Sequence, residues 1–499
     1  MKGVAPEPLF GRDPYTAARL LEPITPTSPA ELAAAAAAVA AAFGTWSRTP
    51  RERRAAALEA IASALDAAAA GLVETAALET GLGRPRLTGE VARTTAQLRM
   101  FAGVLREGSY LDVIITPADR EGNQPDVRRM LRPIGPVAVF SASNFPFAFS
   151  VAGGDTASAL AAGCSVVVKA HEGHPNTSAQ VGDVVRRALA DVGAPDGTLQ
   201  VVYGVPAGAD LVRQPAIRAV GFTGSTTGGR ALFDIAAGRP DPIPFFGELG
   251  SINPVVVLPS AARSRADEIA AGYATSVTLG AGQFCTKPGL VFVPADDALL
   301  TAISAAAGGT VTGPLLTERI YEGFRAALAD GVWAGLRLLA KGSSDGAWGV
   351  QPEIRLASLD EFMAHRDVLI EERFGPAGLV VTYSGEPELF AALAELPGSL
   401  TASLHAADDE SLLAGRVAEV LAPNAGRLIM NGWPTGVAVC WAMQHGGPWP
   451  ASTSPAHTSV GATAISRWLS PVAYQDWPPS LLPDELRDDN PLNIPRITR

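Results

Sequence analysis

Between residues 127 and 223, short apolar strands alternate with helical stretches, and this alternation constrains the fold more than any other feature of the chain. VRRMLRPIGPVAVF reads as a strand, a Pro/Gly break and the apolar strand PVAVF. A helical stretch follows (SVAGGDTASALAAG), then the strand SVVVKA, the helix TSAQVGDVVRRALADVG, and two more strands in LQVVYG and AVGFTGS. Runs that are apolar throughout suit strands covered on both faces, so the pattern predicts a parallel, doubly wound sheet. Such sheets bind ligands beyond the carboxyl ends of their strands. The segment from FFGELGS to about NGWPTG reads as a second α/β unit, with strands in SINPVVVLP and GLVFVP and helical text over 262–271 between them.

Upstream, two helix starts stand out. Ser28, Pro29 and Glu31 form a capping-box pattern before an Ala-rich run, and Thr49, Pro50 and Glu52 repeat it. Downstream, a Pro-, Gly- and Trp-rich tail carries Trp433, Trp441, Trp449, Trp468 and Trp477, which must pack on something; a partner subunit is one candidate.

Composition removes several function classes. A chain of 499 residues allows two or three domains, and 47% apolar residues suit a large core. The net charge of −11 and the lack of a basic run argue against a nucleic-acid partner. LAAAAAAVAAAF is shorter than the ~20 residues that span a bilayer, and no apolar segment follows the N-terminus as in a signal peptide. No membrane partner is expected. Cys164, Cys285 and Cys440 are odd in number and far apart, which predicts free thiols and a cytoplasmic protein.

GAGQFCTKPGL sets Cys285 among small residues that leave the backbone bare, so this thiol reads as presented. Cys164 and Cys440 lie among aliphatic residues and read as buried and inert. FFGELGSINP puts Glu248 in apolar surroundings, where a raised pKa would suit a general base; a carboxylate capping or salt-bridging a domain junction reads equally well. Asn144 follows a strand end, where its amide suits an oxyanion or a simple turn. Lys169 ends a strand, within reach of a ribose or phosphate, or of solvent. GFTGSTTGGRAL lacks the G-x-G-x-x-G fingerprint, yet its strand–Gly–Ser–helix junction offers main-chain N–H groups to a phosphate. His171 and His174 are close, but nothing near them has zinc spacing, so no metal site is assigned.

Taken in order, SNFPFAF, VVVKAHEGHP, GFTGSTTGG, GELG, GQFCTKPG, EERFGP and NGWPTG resemble the aldehyde dehydrogenase superfamily along nearly the whole chain. Within it, FFGELGSINP, GAGQFCTKPGLVFV, RLIMNGWPTGVAVCWAMQHGGPWPAST and PVAYQDWPPSLLP resemble the α-ketoglutarate semialdehyde (2,5-dioxovalerate) dehydrogenase group. The resemblance implies two Rossmann-like domains and a small β oligomerisation arm. Residues 1–126 and 142–247 would bind the dinucleotide, 248–434 would form the catalytic domain, and 127–141 with 435–499 the arm and tail of a homodimer or homotetramer.

It also implies roles. Cys285 would be the nucleophile and Glu248 the activator of water. Asn144 and the Cys285 N–H would hold the oxyanion, and Lys169 would lie at the adenosine ribose. Gly224 and Ser225 would lie at the pyrophosphate, and Glu372 and Phe374 at the nicotinamide ribose and ring of NAD or NADP. Lys287 stands where relatives carry Asn; its ammonium would lower the Cys285 pKa, pair with a substrate carboxylate, or face solvent. Glu172, three residues after Lys169, argues for NAD or dual use, since a carboxylate repels a 2′-phosphate. The expected reaction is oxidation of α-ketoglutarate semialdehyde. A hydrophobic-aldehyde dehydrogenase and a non-catalytic scaffold protein are the alternatives.

Overall fold

The computed structural model describes residues 7–119 and 121–499. Two parallel sheets carry the architecture. The first has five strands in the spatial order Leu199–Val202, Val166–Lys169, Val137–Phe140, Ala219–Thr223, Phe245–Glu248, all parallel. In chain order this is 3-2-1-4-5, with the switch point between Val137–Phe140 and Ala219–Thr223. Val137–Phe140 is thus the central strand of this sheet. Assigning 127–141 to the arm is therefore corrected: the break at Gly135, whose φ is +140°, lets the chain leave one sheet at Pro133 and enter another at Val137.

The second sheet has seven strands, ordered Arg337–Lys341, Glu353–Ser358, Ala377–Tyr383, Leu290–Pro294, Pro254–Val257, Ser399–His405, Ala425–Met430. Only its Arg337–Lys341 edge runs antiparallel. A four-stranded sheet joins Leu469–Gln475, Val127–Pro133, Val113–Thr116 and Arg496–Thr498, so the tail and the VRRMLRP strand do pair.

Helices α1 (Pro29–Trp46), α2 (Arg51–Thr80) and α3 (Arg84–Glu107) pack beside the first sheet. Ser28 and Glu31 form the expected capping box on α1. Thr49 does not cap α2. Pro50 occupies the cap position, the Thr49 hydroxyl donates back to the Thr45 carbonyl, and Glu52 instead pairs with Arg106 of α3. Long, apolar α2 buries Leu58, Ile61, Leu65 and Leu72 in the core that also holds Val137, Val139, Val166 and Val168. Of the tail tryptophans, Trp468 is buried and its indole donates to Ser158. Trp441, Trp449 and Trp477 stand about half exposed (50%, 49% and 47%).

Candidate active site

The site forms where the carboxyl edge of the five-stranded sheet faces the amino edge of the seven-stranded one. Glu248 ends the Phe245–Glu248 strand, whereas the Cys285 turn precedes Leu290–Pro294 and EERFGP precedes Ala377–Tyr383. Only the first domain's residues therefore follow the carboxyl-end rule.

The Cys285 turn is tightly packed rather than bare. Gly280, Ala281 and Gly282 all have positive φ (56°, 53° and 69°). A Cβ on Gly282 would fall 2.2 Å from the Gly375 carbonyl oxygen, so glycine there permits a close approach to EERFGP. Buried amides hold the turn from both sides. Asn144 Nδ2 donates to the Gln283 carbonyl at 2.9 Å, and Asn253 Nδ2 donates to the carbonyls of Cys285 (2.8 Å) and Lys287 (3.0 Å). Asn144 is fixed in turn by Arg86, which donates to its carbonyl at 2.7 Å. Cys285 keeps partial exposure. Cys164 is buried, as expected, but Cys440 is exposed, because the strand-like GVAVCW text lies in an irregular segment that no sheet covers.

His445, which no local motif marks, completes the centre. Its Nε2 lies 3.6 Å from Cys285 Sγ and 3.0 Å from Glu248 Oε1, and the ring is 1% exposed. Ser459 donates to Glu248 Oε2 at 2.6 Å. Glu248 departs from expectation here. Burial raises its pKa, but the imidazole and hydroxyl donors outweigh that and bring it below the ordinary carboxylate value. The carboxylate is therefore ionised at neutral pH, and His445 must carry its proton on Nε2 to donate to it. Cys285 moves the other way: burial first, then the charges of Glu248 and Glu372, push the thiol well above its usual pKa. Beside this cluster lies a cavity of about 20 Å³ lined by Phe246, Glu248, His445, Ser452, His457 and Ser459 among others, space for one water. A larger cleft of about 740 Å³ is lined in part by Gly83, Arg86, Thr278, Gly280, Ala281 and Val311, and not by Cys285 itself.

Lys287 does not act on the thiol. Its side chain is buried, and Nζ donates to the carbonyls of Arg373 and Ala377, both at 2.7 Å. The Cys285 thiol stands above its ordinary pKa, so the lowering that is one reading of Lys287 does not occur. Burial pushes the ammonium down to about 7 and the Glu372 carboxyl up to about 7, each drawn back toward its charged form by the other.

Lys169, Gly224 and Ser225 lie at the carboxyl edge of the five-stranded sheet, and Glu372 comes beside the helix that Ser225 caps. Gly224 and Ser225 are exposed at the start of the twelve-residue helix Thr226–Ala237, and the Ser225 hydroxyl caps that helix by accepting from Gly228 N–H. A Cβ on Gly250 would fall 2.8 Å from both Glu372 Oε2 and Thr226 Oγ1, so glycine keeps open a cradle between the helix start and the carboxylate. Phe374 is half-buried beside it. Lys169 reaches the same sheet edge, where its Nζ is ion-paired to Glu172. His171 accepts from the nearby Gly173 N–H, and His174 Nε2 meets the Ala142 carbonyl 32 residues away. An exposed helix start, a bare cradle and a cation at a strand end fit a dinucleotide phosphate and its riboses.

The aldehyde dehydrogenase family model matches residues 11–453. The chain belongs to this family. An aldehyde dehydrogenase of this kind has near relatives. The α-ketoglutaric semialdehyde dehydrogenase 2 of Azospirillum brasilense is 47% identical over 471 residues, 91% of this chain and 89% of the relative. The α-ketoglutaric semialdehyde dehydrogenase of Acinetobacter baylyi is 42% identical over 91% of this chain and 88% of its own. Among solved structures, a γ-glutamyl-γ-aminobutyraldehyde dehydrogenase from Burkholderia cenocepacia superposes with a TM-score of 0.81 over 94% of this aldehyde dehydrogenase and 93% of that chain; at 23% identity it bears on the fold alone.

Proposed function

We propose that this aldehyde dehydrogenase oxidises α-ketoglutarate semialdehyde to α-ketoglutarate, with Cys285 as nucleophile. The observation that carries the chemistry is the contact of His445 Nε2 with both Cys285 Sγ and ionised Glu248. The substrate assignment rests on the two relatives named for that reaction.

A neutral resting thiol needs a base within reach. The ionised Glu248 carboxylate, held by the His445 N–H, takes the thiol proton as sulfur adds to the aldehyde carbonyl and passes it to solvent before the water step. The hemithioacetal oxyanion meets the Cys285 N–H and the Asn144 amide, once that amide turns from the Gln283 carbonyl. Bound NAD or NADP supplies the hydride acceptor that leaves a thioacyl group on Cys285. Glu248 then deprotonates a water, for which the adjoining cavity has room, and the acid departs. Lys169, Gly224, Ser225, Glu372 and Phe374 would hold the dinucleotide. Glu172, by occupying Lys169, favours NAD or dual use. The exposed Trp441, Trp449 and Trp477 and the tail-paired sheet support a homodimer or homotetramer; the composition supports a cytoplasmic location.

Initial rates of NADH and NADPH formation with α-ketoglutarate semialdehyde, succinic semialdehyde and a medium-chain aliphatic aldehyde test this reading. Preference for the keto acid supports it; preference for the aliphatic aldehyde would leave the chemistry standing and remove the substrate.

A further inference from the structure

A substrate that carries a carboxylate several carbons from its aldehyde needs a cation in the same channel. Partner accounting identifies which one is free. Lys287 spends its ammonium on two carbonyls. Arg427 lies within electrostatic reach of Cys285, but its Nη2 donates to Pro434 (2.9 Å) and Gly436 (3.0 Å) and its Nη1 approaches Met443 Sδ. Arg86 donates to Asn144 and stacks on the rings of Phe145 and Phe284, with Cζ 5.2 and 5.0 Å from their centroids.

Arg93 differs from all three. It extends from α3, two turns after Arg86, and both terminal nitrogens are shut off from solvent with no hydrogen-bond partner among the described residues. Its guanidinium lies 5.5 Å over the Phe149 ring, which is 6.3 Å from the His445 ring, and it feels the charges of Cys285 and Glu248. Glu90, one turn earlier, is the largest charge acting on it; its Oε1 accepts from the N–H groups of Phe147 and Ala148, its Oε2 is buried without a partner among the described residues, and neither oxygen comes within 4.0 Å of the Arg93 nitrogens. A buried guanidinium with an empty fork is costly, and a planar carboxylate is the ligand that relieves the cost with two parallel hydrogen bonds.

We propose that Arg93 is the specificity-determining cation that binds the distal carboxylate of the aldehyde substrate, with Phe149 supporting its guanidinium beside the Cys285–His445–Glu248 centre. The inference deepens the reading above and rests on it for the substrate class.

The test compares kcat/KM for carboxylated aldehydes (α-ketoglutarate, succinic and adipic semialdehydes) with that for uncharged aldehydes of equal length. It uses the full-length wild type, Arg93→Met and Arg93→Lys. For the favoured carboxylated substrate, Arg93→Met should lower the carboxylated-to-uncharged ratio about 100-fold, chiefly through KM, while activity on the uncharged aldehyde is kept. Arg93→Lys should fall between, because an ammonium keeps the charge and loses the fork. In a second readout, α-ketoglutarate should shield Cys285 from iodoacetamide in the wild type and fail to do so in Arg93→Met. Equal losses on both substrate types would overturn the proposal, showing Arg93 to be structural. So would an unchanged ratio, or a wild type indifferent to carboxylates. A wild type that prefers another carboxylated semialdehyde would remove the keto-acid assignment alone, and the Arg93 ratio would be read on that substrate.

Discussion

Lys287 offers the most discriminating perturbation, because the sequence leaves three roles open and the structure selects a fourth. Read from the sequence, an ammonium two residues from Cys285 activates the thiol, pairs with a substrate carboxylate or faces solvent; in the structure it ties the Cys285 turn to EERFGP. Lys287→Met keeps the stem and removes two buried charge-assisted bonds, to Arg373 and Ala377, each 2.7 Å long. Such bonds contribute about 1.5–3 kcal/mol each, or about 3–6 kcal/mol for the pair. Part of this is returned, since desolvating an ammonium costs several kcal/mol. A net loss of about 2 kcal/mol at the turn that carries Glu372 and Phe374 is expected. If that loss is felt at the coenzyme site, it is about 30-fold in coenzyme KM.

Two assays check this on the same protein. Steady-state kinetics should show coenzyme KM raised about 30-fold with kcat within about threefold of wild type. Iodoacetamide inactivation followed at pH 6, where the Lys287 ammonium is charged, should proceed at the wild-type rate, because its bonds go to main-chain carbonyls rather than to the Cys285 sulfur. Markedly slower alkylation with an unchanged coenzyme KM would refute the structural account and restore the activating role.

Three further outcomes are expected. Glu248→Gln should lower steady-state turnover about 100-fold and also slow the first turnover of reduced coenzyme, since one carboxylate serves both the thiol and the water, read by stopped-flow absorbance; full steady-state activity would remove Glu248 from the base role. Glu172→Gln should shift the NADP-to-NAD ratio of kcat/KM about tenfold toward NADP, since one carboxylate facing a 2′-phosphate is worth about 1.4 kcal/mol; no shift would place the 2′ position away from Glu172. The ligand atoms of Glu248, Cys285 and His445 lie within 4.8 Å of one another, a set that suits a thiophilic cation. Micromolar Zn²⁺ should therefore inhibit reversibly, with activity restored by a chelator and sensitivity lost in His445→Phe.

What was legible in the sequence was local. Apolar runs such as VVVK and PVVV announce strands buried on both faces, and Ser28 with Glu31 writes a cap in four residues. The same rule misread Thr49, because a helix start is chosen by packing as well as by side chain: Glu52 had a stronger partner in Arg106 of α3. The boundary near residue 141 failed for a similar reason. Val127–Pro133 and Val137–Phe140 are only a glycine turn apart, yet they pair with strands more than 300 and fewer than 100 residues away.

The site divides along the same line. Cys285 and Glu248 sit in motifs whose small or apolar neighbours mark them, whereas His445 lies 160 residues beyond Cys285 in a tail with no regular period, and only folding brings it to 3.6 Å from the sulfur. Arg93 and Lys287 show why charge alone could not have ranked the cations. Both are basic side chains near Cys285 in space, and they differ in where their hydrogen bonds go: Lys287 satisfies the carbonyls of Arg373 and Ala377, while the terminal nitrogens of Arg93 have no hydrogen-bond partner among the described residues. A donor's role is fixed by the acceptor it faces, and the acceptors here are main-chain carbonyls whose direction no residue name encodes. The cation that the sequence made most conspicuous is thus a brace, and the one proposed to meet a substrate carboxylate sits unmarked on α3.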